Sequence, residues 1–212
     1  MLVTAVRHAE SLGNAGLLTE EDPDPLLSPR GVEQARLTAE RLAAEGVTHI
    51  WSSPFRRAIH TASFLAKATG VEVVLEPDMV EHYIFDDLEG YPGRMGDQLK
   101  QEFGCVCVPD GMDRAWTPAF PESWEQLLER TQRVAERALE LGRESDDVHL
   151  VVFGHGASTK ALVTALIGDA IPPDAPFVNA GMSRARLDGA LPGRMVFLND
   201  ASHLAVLRDE GT

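Results

Sequence analysis

The chain has 212 residues, the length of one large domain or of one domain with a substantial insertion. Its hydrophobic content of 44% and charged content of 25% are those of a globular protein and exclude wholesale disorder. Nineteen basic residues against 33 acidic ones leave a formal charge of −14, which repels nucleic acid and anionic membranes, so any anion site has to be built locally against the field of the whole molecule.

No apolar run approaches the roughly 20 residues of a membrane helix, since even Val148 to Phe153 stops at Gly154. Met1 to Val6 gives way to Arg7, His8 and Glu10 with no long apolar region and no A-x-A site, which predicts that there is no secretory signal peptide. The two cysteines, Cys105 and Cys107, form a C-x-C pair that cannot make a structural disulfide framework, and a cytoplasmic home is expected. With no second C-x-C or H-x-H nearby, no metal site is expected there.

Along the chain, short β-branched runs alternate with helical patterns. Leu2 to Val6 reads as a buried strand ending at Arg7-His8. Apolar residues at Val32, Ala35, Ala39, Leu42 and Ala43 give helical spacing from Gly31 to about Glu45, and Gly46 stops it. Val47 to Trp51 reads as a second strand. Pro54 suits the first turn of a helix burying Phe55, Ala58, Ile59, Ala62, Leu65 and Ala66, which Gly70 ends before a third strand, Val71 to Leu75. From Glu89 to Pro121 the sequence is rich in Gly and Pro without a sustained period, and reads as a lid or insertion rather than a sheet element. Ser123 opens a capping box with Gln126 and a helix burying Trp124, Leu127, Leu128, Val134, Ala138 and Leu141. Strand Val148 to Phe153, a Gly-His-Gly turn and a helix from about Ala157 to Ile167 follow. Two weaker strands lie near Met182 to Leu187 and Met195 to Leu198. Strands alternating with helices predict an α/β fold, three layers α/β/α with a mostly parallel central sheet. Residues 1–212 form one domain, with a lid-like insertion at about 89–122.

In open parallel sheets ligands bind beyond the carboxyl ends of the strands. Three strand ends here carry polar groups: Arg7-His8, Ser52-Ser53-Pro54-Phe55-Arg56-Arg57, and Gly154-His155-Gly156. Arginines, histidines and helix N-termini aimed at one place form an anion cradle, and the glycines beside His155 let backbone N–H groups approach a bound group. The pattern reads as a phosphate site. His49, His60 and His149 read as surface or packing residues, His203 as support for the sheet edge, and His82 adjoins a candidate acid.

The stretch Val6-Arg7-His8-Ala9-Glu10-Ser11, followed by Asn14, resembles the R-H-G-E signature of the histidine phosphatase (phosphoglycerate mutase-like) superfamily. The resemblance continues through Leu27-Ser28-Pro29-Arg30-Gly31 with Glu33-Gln34-Ala35, and Ser52-Ser53-Pro54 with Arg57-Ala58 and Thr61-Ala62. Further landmarks are Glu81, Glu89-Gly90, Phe153-Gly154-His155-Gly156, and Asn199-Asp200 with His203-Leu204. It implies a phosphoglycerate mutase-like fold and the following roles. His8 is the nucleophile that forms a phosphohistidine. Arg7, Arg57 and His155 clamp the phosphate, with Asn14 and the Gly156 backbone as further contacts. Glu81 protonates the leaving oxygen and then activates water. No cofactor and no metal are required, and the partner is a small-molecule phosphoester, with a homodimer possible. Arg56 competes with Arg57 for the clamp and would otherwise be a solvated helix residue. Glu76, Asp78, Asp86 and Glu89 compete with Glu81. Ala9 departs from the family's usual Gly, and Ser11 and Arg30 read as structural.

The family contains phosphatases and phosphoglycerate mutases. Between Glu89 and Ser123 the chain offers only Arg94, Lys100 and Arg114 beside Asp97, Glu102, Asp110 and Asp113, and lacks the consecutive arginines typical of cofactor-dependent mutases. A metal-independent phosphatase acting on a small phosphorylated metabolite is therefore expected ahead of a mutase. A metal-dependent hydrolase using His8, His82 and His155 and a silent phospho-ligand-binding domain are the remaining alternatives. Tyr83, Phe85, Tyr91, Phe103, Trp116 and Phe120 could stack on a ring-bearing substrate or pack the lid onto the body.

Overall fold

The computed structural model describes the chain apart from residues 19, 111, 113–115, 144, 146, 173 and 212, and apart from the side chains of 87 and 208–211. Asp113 and Arg114, counted above among the charges of the insertion, lie outside the described residues.

Seven strands form one sheet in the order β4-β3-β2-β5-β1-β6-β7: β1 (Leu2–Arg7), β2 (His49–Ser52), β3 (Val73–Leu75), β4 (Val106–Cys107), β5 (His149–Gly154), β6 (Met182–Arg186) and β7 (Arg194–Asp200). β1, β2, β3, β4 and β5 run parallel, and β6 is antiparallel to both its neighbours. β5 lies at the centre, and all six of its residues are buried, as an apolar run with covered faces requires. The helices are α1 (Pro29–Ala43), α2 (Arg56–Thr69), α3 (Gly96–Phe103), α4 (Trp124–Leu141) and α5 (Gly156–Ile167). One apolar cluster joins α1 and α2 to the sheet through Leu42, Ile59, Leu65, Ile50 and Phe153. A second joins α4 and α5 through Val134, Ala138, Leu162, Val3 and Leu150. These are the two outer layers of a mostly parallel α/β/α fold. Among the described residues no helix is long and apolar enough to cross a membrane.

Three readings of the sequence need correction. The segment 89–121 is not free of sheet structure: it supplies α3 and the edge strand β4, which pairs in parallel with β3. A two-residue strand and an eight-residue helix are too short to show a period, and tertiary pairing decides them. Pro54 lies outside α2, whose first residue is Arg56 after an extended Phe55. Trp124 is not buried: as the first residue of α4 it stands beyond the packed stripe and is 38% exposed. The Ser123 and Gln126 capping box closes as read, with Ser123 Oγ accepting the Gln126 N–H at 3.2 Å and Gln126 Oε1 accepting the Ser123 N–H at 2.7 Å.

The conspicuous Leu27 to Ala35 segment ties down the loop after β1. Ser28 caps α1 by accepting the Gly31 N–H at 3.0 Å, and its hydroxyl donates to Glu10 Oε1 at 2.6 Å. Gln34 Oε1 accepts the Glu10 N–H at 2.8 Å, and the Ser28 N–H donates to the Glu10 carbonyl at 2.9 Å. Gly31 allows this approach: a Cβ there would lie 1.9 Å from the Glu10 carbonyl oxygen. Because the Glu10 backbone is held at both its N–H and its carbonyl, Gly31→Ala is expected to cost about 2–3 kcal/mol of stability, read as a lower urea midpoint. An unchanged midpoint would show that the loop yields.

Candidate active site

The parallel ladder continues past the strands and fixes the site residues. The His8 N–H donates to the Gly154 carbonyl at 2.8 Å, and the Ser53 N–H donates to the Phe153 carbonyl at 2.8 Å. The ends of β1, β2 and β5 therefore lie side by side, and the rings of His8 and His155 meet edge to face with centroids 5.1 Å apart. A cavity of about 440 Å³ opens there, lined by Arg7, His8, Asn14, Arg57, Glu81 and Phe85 among others.

His8 is buried, and its Nδ1 lies 2.7 Å from the Ala9 carbonyl oxygen. A carbonyl only accepts, so Nδ1 carries the hydrogen and Nε2 of the neutral ring carries the lone pair. Burial first, and then the charges of Arg57 and Arg7, hold this imidazole well below the ordinary histidine value, so the ring stays neutral. Ala9 is fully buried with its N–H donating to Thr61 Oγ1 at 3.0 Å, and its methyl is accommodated within the core.

Arg7 donates from Nη1 to the Phe177 carbonyl, while its Nε is buried without a hydrogen-bond partner among the described residues. Burial and the neighbouring Arg57 pull its guanidinium down from the ordinary value against the support of Glu81. Arg57 Nη1 donates to the Pro23 carbonyl at 3.3 Å, stands 3.7 Å from Asp24 Oδ1, and stacks on Phe55 at 4.5 Å. Arg56 is engaged elsewhere: its Nε donates to Glu102 Oε1 at 2.9 Å, and its N–H donates to Asp24 at 2.7 Å. It is thus half-buried and ion-paired, not the solvated residue expected. His155 is fully buried, with Nε2 2.8 Å from Ser53 Oγ and Nδ1 unpartnered among the described residues. Burial and Arg57 also hold His155 well below its ordinary value.

Glu81 is placed by its backbone and by α5. Its Oε2 accepts the Gly156 N–H at 3.1 Å, and its Oε1 accepts the Ala157 N–H at 3.1 Å and the His82 N–H at 2.9 Å. The buried Arg130 on α4 grips the preceding chain, donating to the Asp78, Val80 and Glu81 carbonyls and to the Glu122 carboxylate. The rival acids point to other partners: Glu76 and Asp78 pair with Arg137, and neither they nor Asp86 nor Glu89 lines the cavity. The Gly156 N–H, expected to contact phosphate, is taken by Glu81. Asn14 Oδ1 accepts from the Ser11 N–H and from Asn179 Nδ2, which also donates to the His8 carbonyl at 3.1 Å.

Several of these supports escaped the sequence reading. Asn179, Ser53 as the partner of His155, and the pair Arg130 and Glu122 carried no local signal. Asn199, a landmark of the family resemblance, has φ at 50°, and its Oδ1 accepts the Val178 N–H, holding the loop behind Arg7. The histidines outside the site have ordinary partners: His149 meets Thr4 Oγ1, His203 meets Thr38 Oγ1, and His82 Nε2 meets the Glu122 carbonyl.

Asp24 is a further residue that carried no local signal, buried beneath Arg57 and reached by the Tyr91 hydroxyl at 3.1 Å. Burial pushes its carboxyl up to about 6, against the pull of Arg57 and the Arg56 N–H. The unfolded chain titrates near the ordinary 3.8, so between about pH 4 and pH 6 the folded state holds the extra proton and the stability due to Asp24 falls as pH rises. Compared with Asp24→Asn, wild type is expected to lose urea stability across that window and to run parallel above it. Parallel curves throughout would refute the assignment.

At the carboxyl ends of the parallel strands one cavity is thus lined by Arg7, His8, Asn14, Arg57 and Glu81, while His155 does not line it and lies fully buried against the His8 ring. The family profile of the histidine phosphatase superfamily (branch 1) matches residues 3–200, and the chain belongs to that superfamily. A relative, the probable phosphoglycerate mutase GpmB of Serratia proteamaculans (strain 568), is 27% identical over 173 residues, covering 78% of this chain and 74% of that protein. The protein of the same name from Yersinia pestis (strain Pestoides F) is 28% identical over 173 residues, with the same 78% and 74% coverage. Among solved structures, mycobacterial glucosyl-3-phosphoglycerate phosphatase in complex with VO3 superposes with a TM-score of 0.69 at 24% identity, covering 94% of this chain and 99% of that chain. Phosphoserine phosphatase from Entamoeba histolytica with 3-phosphoglyceric acid gives 0.66 at 23% identity, covering 96% and 98%. These structural likenesses establish the phosphoglycerate mutase-like fold.

Proposed function

We propose that the protein is a phosphomonoester hydrolase that works through a phosphohistidine on His8, on a small phosphorylated metabolite. The observation that carries this reading is the state of His8: Nδ1–H is bound to the Ala9 carbonyl, and burial beside Arg7 and Arg57 keeps the ring neutral with its lone pair on Nε2. That lone pair attacks phosphorus as the bond to the leaving oxygen breaks, and Glu81 supplies the proton to that oxygen. Water then attacks phosphorus, giving its proton back to Glu81, and the P–N bond breaks to regenerate His8 and release phosphate. Arg7, Arg57 and Asn14, which line the cavity, hold the equatorial oxygens, with His155 backing the clamp from beside the His8 ring, and the Nε of Arg7, without a partner among the described residues, is a donor that one of those oxygens satisfies. Guanidinium charge does the neutralising that a metal does in other phosphotransferases, so the reaction is metal-independent. A ligand set of His8, His82 and His155 is disfavoured because the Glu122 carbonyl engages the His82 ring.

The second reading, mutase chemistry, is favoured by the names of the curated relatives. Against it, Arg7 and Arg57 are the only cationic side chains lining this cavity among the described residues, with Asp22 and the apolar Leu18, Phe85 and Leu88 beside them, a poor setting for a second acidic group on the substrate. The test follows phosphate release from 4-nitrophenyl phosphate in EDTA, and, separately, 3-phosphoglycerate with a bisphosphate primer. Release in EDTA without isomerisation is expected. Isomerisation with no free phosphate would establish the mutase, and a metal requirement would overturn the mechanism.

A further inference from the structure

A second cavity, of about 650 Å³, adjoins the first. It is lined by Arg7, Gly156, Trp124, Lys160, Ile171 and Phe177 together with three alanines. Arg7 borders both cavities. Glu81 lines the first, and its carboxylate is bound to the N–H groups of Gly156 and Ala157, which line the second. The boundary between the two is therefore the candidate acid itself.

In an in-line displacement the leaving oxygen departs opposite the attacking nitrogen and takes a proton from the acid. The group attached to that oxygen extends past Glu81, whose carboxylate is held by the two residues, Gly156 and Ala157, that border the second cavity. Its walls are mainly apolar, with two aromatic rings. Trp124 keeps 38% of its surface exposed although it begins an otherwise well-packed helix. Phe177 lies beneath the Lys160 ammonium at 5.8 Å and is tied to the phosphate clamp, because its carbonyl accepts from Arg7. Lys160 is a local cation on a molecule of charge −14. The insertion aromatics are committed elsewhere: Tyr91 and Trp116 pack on Phe55, Phe120 on Tyr83, and Phe103 on His60. Only Phe85 of that group lines the phosphate cavity.

We propose that this second cavity is the leaving-group subsite, and that it takes a flat apolar body bearing an anionic substituent: the substrate class is the monophosphate of an aromatic or similarly flat hydroxy acid. Trp124 and Phe177 hold the ring, and Lys160 pairs with the carboxylate. This rests on the hydrolase reading above and adds the substrate class to it.

The test uses binding, so that it does not depend on turnover. The probes are 4-carboxybenzylphosphonate, whose P–C bond cannot be hydrolysed, and its 4-carbamoyl analogue, neutral at the ring substituent, titrated calorimetrically into wild type, Trp124→Ala, Lys160→Met and Phe85→Ala, each checked for an unchanged Tm. Trp124→Ala is expected to weaken both probes about tenfold, the worth of one ring contact. Lys160→Met is expected to weaken the carboxylate probe about tenfold and to leave the carbamoyl probe unchanged. Phe85→Ala, on the wall of the phosphate cavity, is expected to act on both probes alike and so not to discriminate between carboxylate and carbamoyl. Equal affinities in wild type, Trp124→Ala and Lys160→Met, a loss confined to Phe85→Ala, or no binding to wild type would overturn the subsite. Binding as expected, with no hydrolysis of 4-carboxyphenyl phosphate by wild type, would instead overturn the hydrolase reading and leave the subsite standing.

Discussion

Replacing His8 by alanine is expected to lower kcat for an aryl phosphate by at least about 10⁴-fold, because it removes the atom that forms the covalent bond and leaves only the clamp. The fold should survive. His8 is held through backbone contacts that alanine keeps: its N–H to the Gly154 carbonyl and its carbonyl to Asn179 and the Ala180 N–H. The Ala9 carbonyl loses one partner, and the space left adjoins the existing cavity, where water enters. Arg7 and Arg57 remain, so inorganic phosphate should still bind. Rate loss with retained phosphate binding separates a nucleophile from a structural residue. In wild type the depressed value of the His8 ring has a further consequence. The His8 ring stays neutral as pH falls through about 6.5, so on the proposed mechanism its contribution to the acid limb of kcat/KM is expected well below that pH. Phosphate release by His8→Ala at the wild-type rate would remove His8 from the mechanism.

The parts of the molecule that could be read from sequence are those in which local chemistry and period coincide. β1, β5, α2 and α5 are bounded by glycines or by polar strand ends, and the reading placed them within a few residues. The strand-end rule brought Arg7, His8, Arg57 and His155 to one place because parallel neighbours β1, β2 and β5 end at the same level. What escaped depends on partners far away in the chain. Asp24 acquires its buried environment from Arg57 and Tyr91, and Arg130 acquires its function from carbonyls some 50 positions earlier, which no local pattern encodes. The edge strand β4 has two residues, so its pairing with Val73 and Val74 decides it, not its own composition. The family landmarks prove to be mainly scaffolding: Gln34, Ser28, Thr61 and Asn199 each bind backbone in the loop after β1 or in the loop behind Arg7.

Glu81→Gln is expected to reduce kcat by about 10²–10⁴-fold for a substrate with a poor leaving group, the usual contribution of a positioned proton donor. The amide keeps the size of the side chain, and its oxygen, placed where Oε1 now lies, can still accept the His82 and Ala157 N–H groups, two of the three that now bind the carboxylate. Its NH2 group would face N–H donors, so one helix contact is lost, and part of any rate loss could come from displacement alone. Leaving-group dependence separates the two causes. An alkyl alkoxide needs its proton as the P–O bond breaks, whereas 4-nitrophenolate departs without one. Proton transfer by Glu81 therefore predicts a large loss with ethyl phosphate and a much smaller one with 4-nitrophenyl phosphate in the first chemical step. Dephosphorylation of His8 is common to both substrates and should slow equally, so phosphoenzyme should accumulate in the variant with 4-nitrophenyl phosphate and produce a burst of nitrophenolate. A loss of the same size for both substrates, without a burst, would mean that Glu81 serves to anchor α5 beside the clamp and that another group carries the proton.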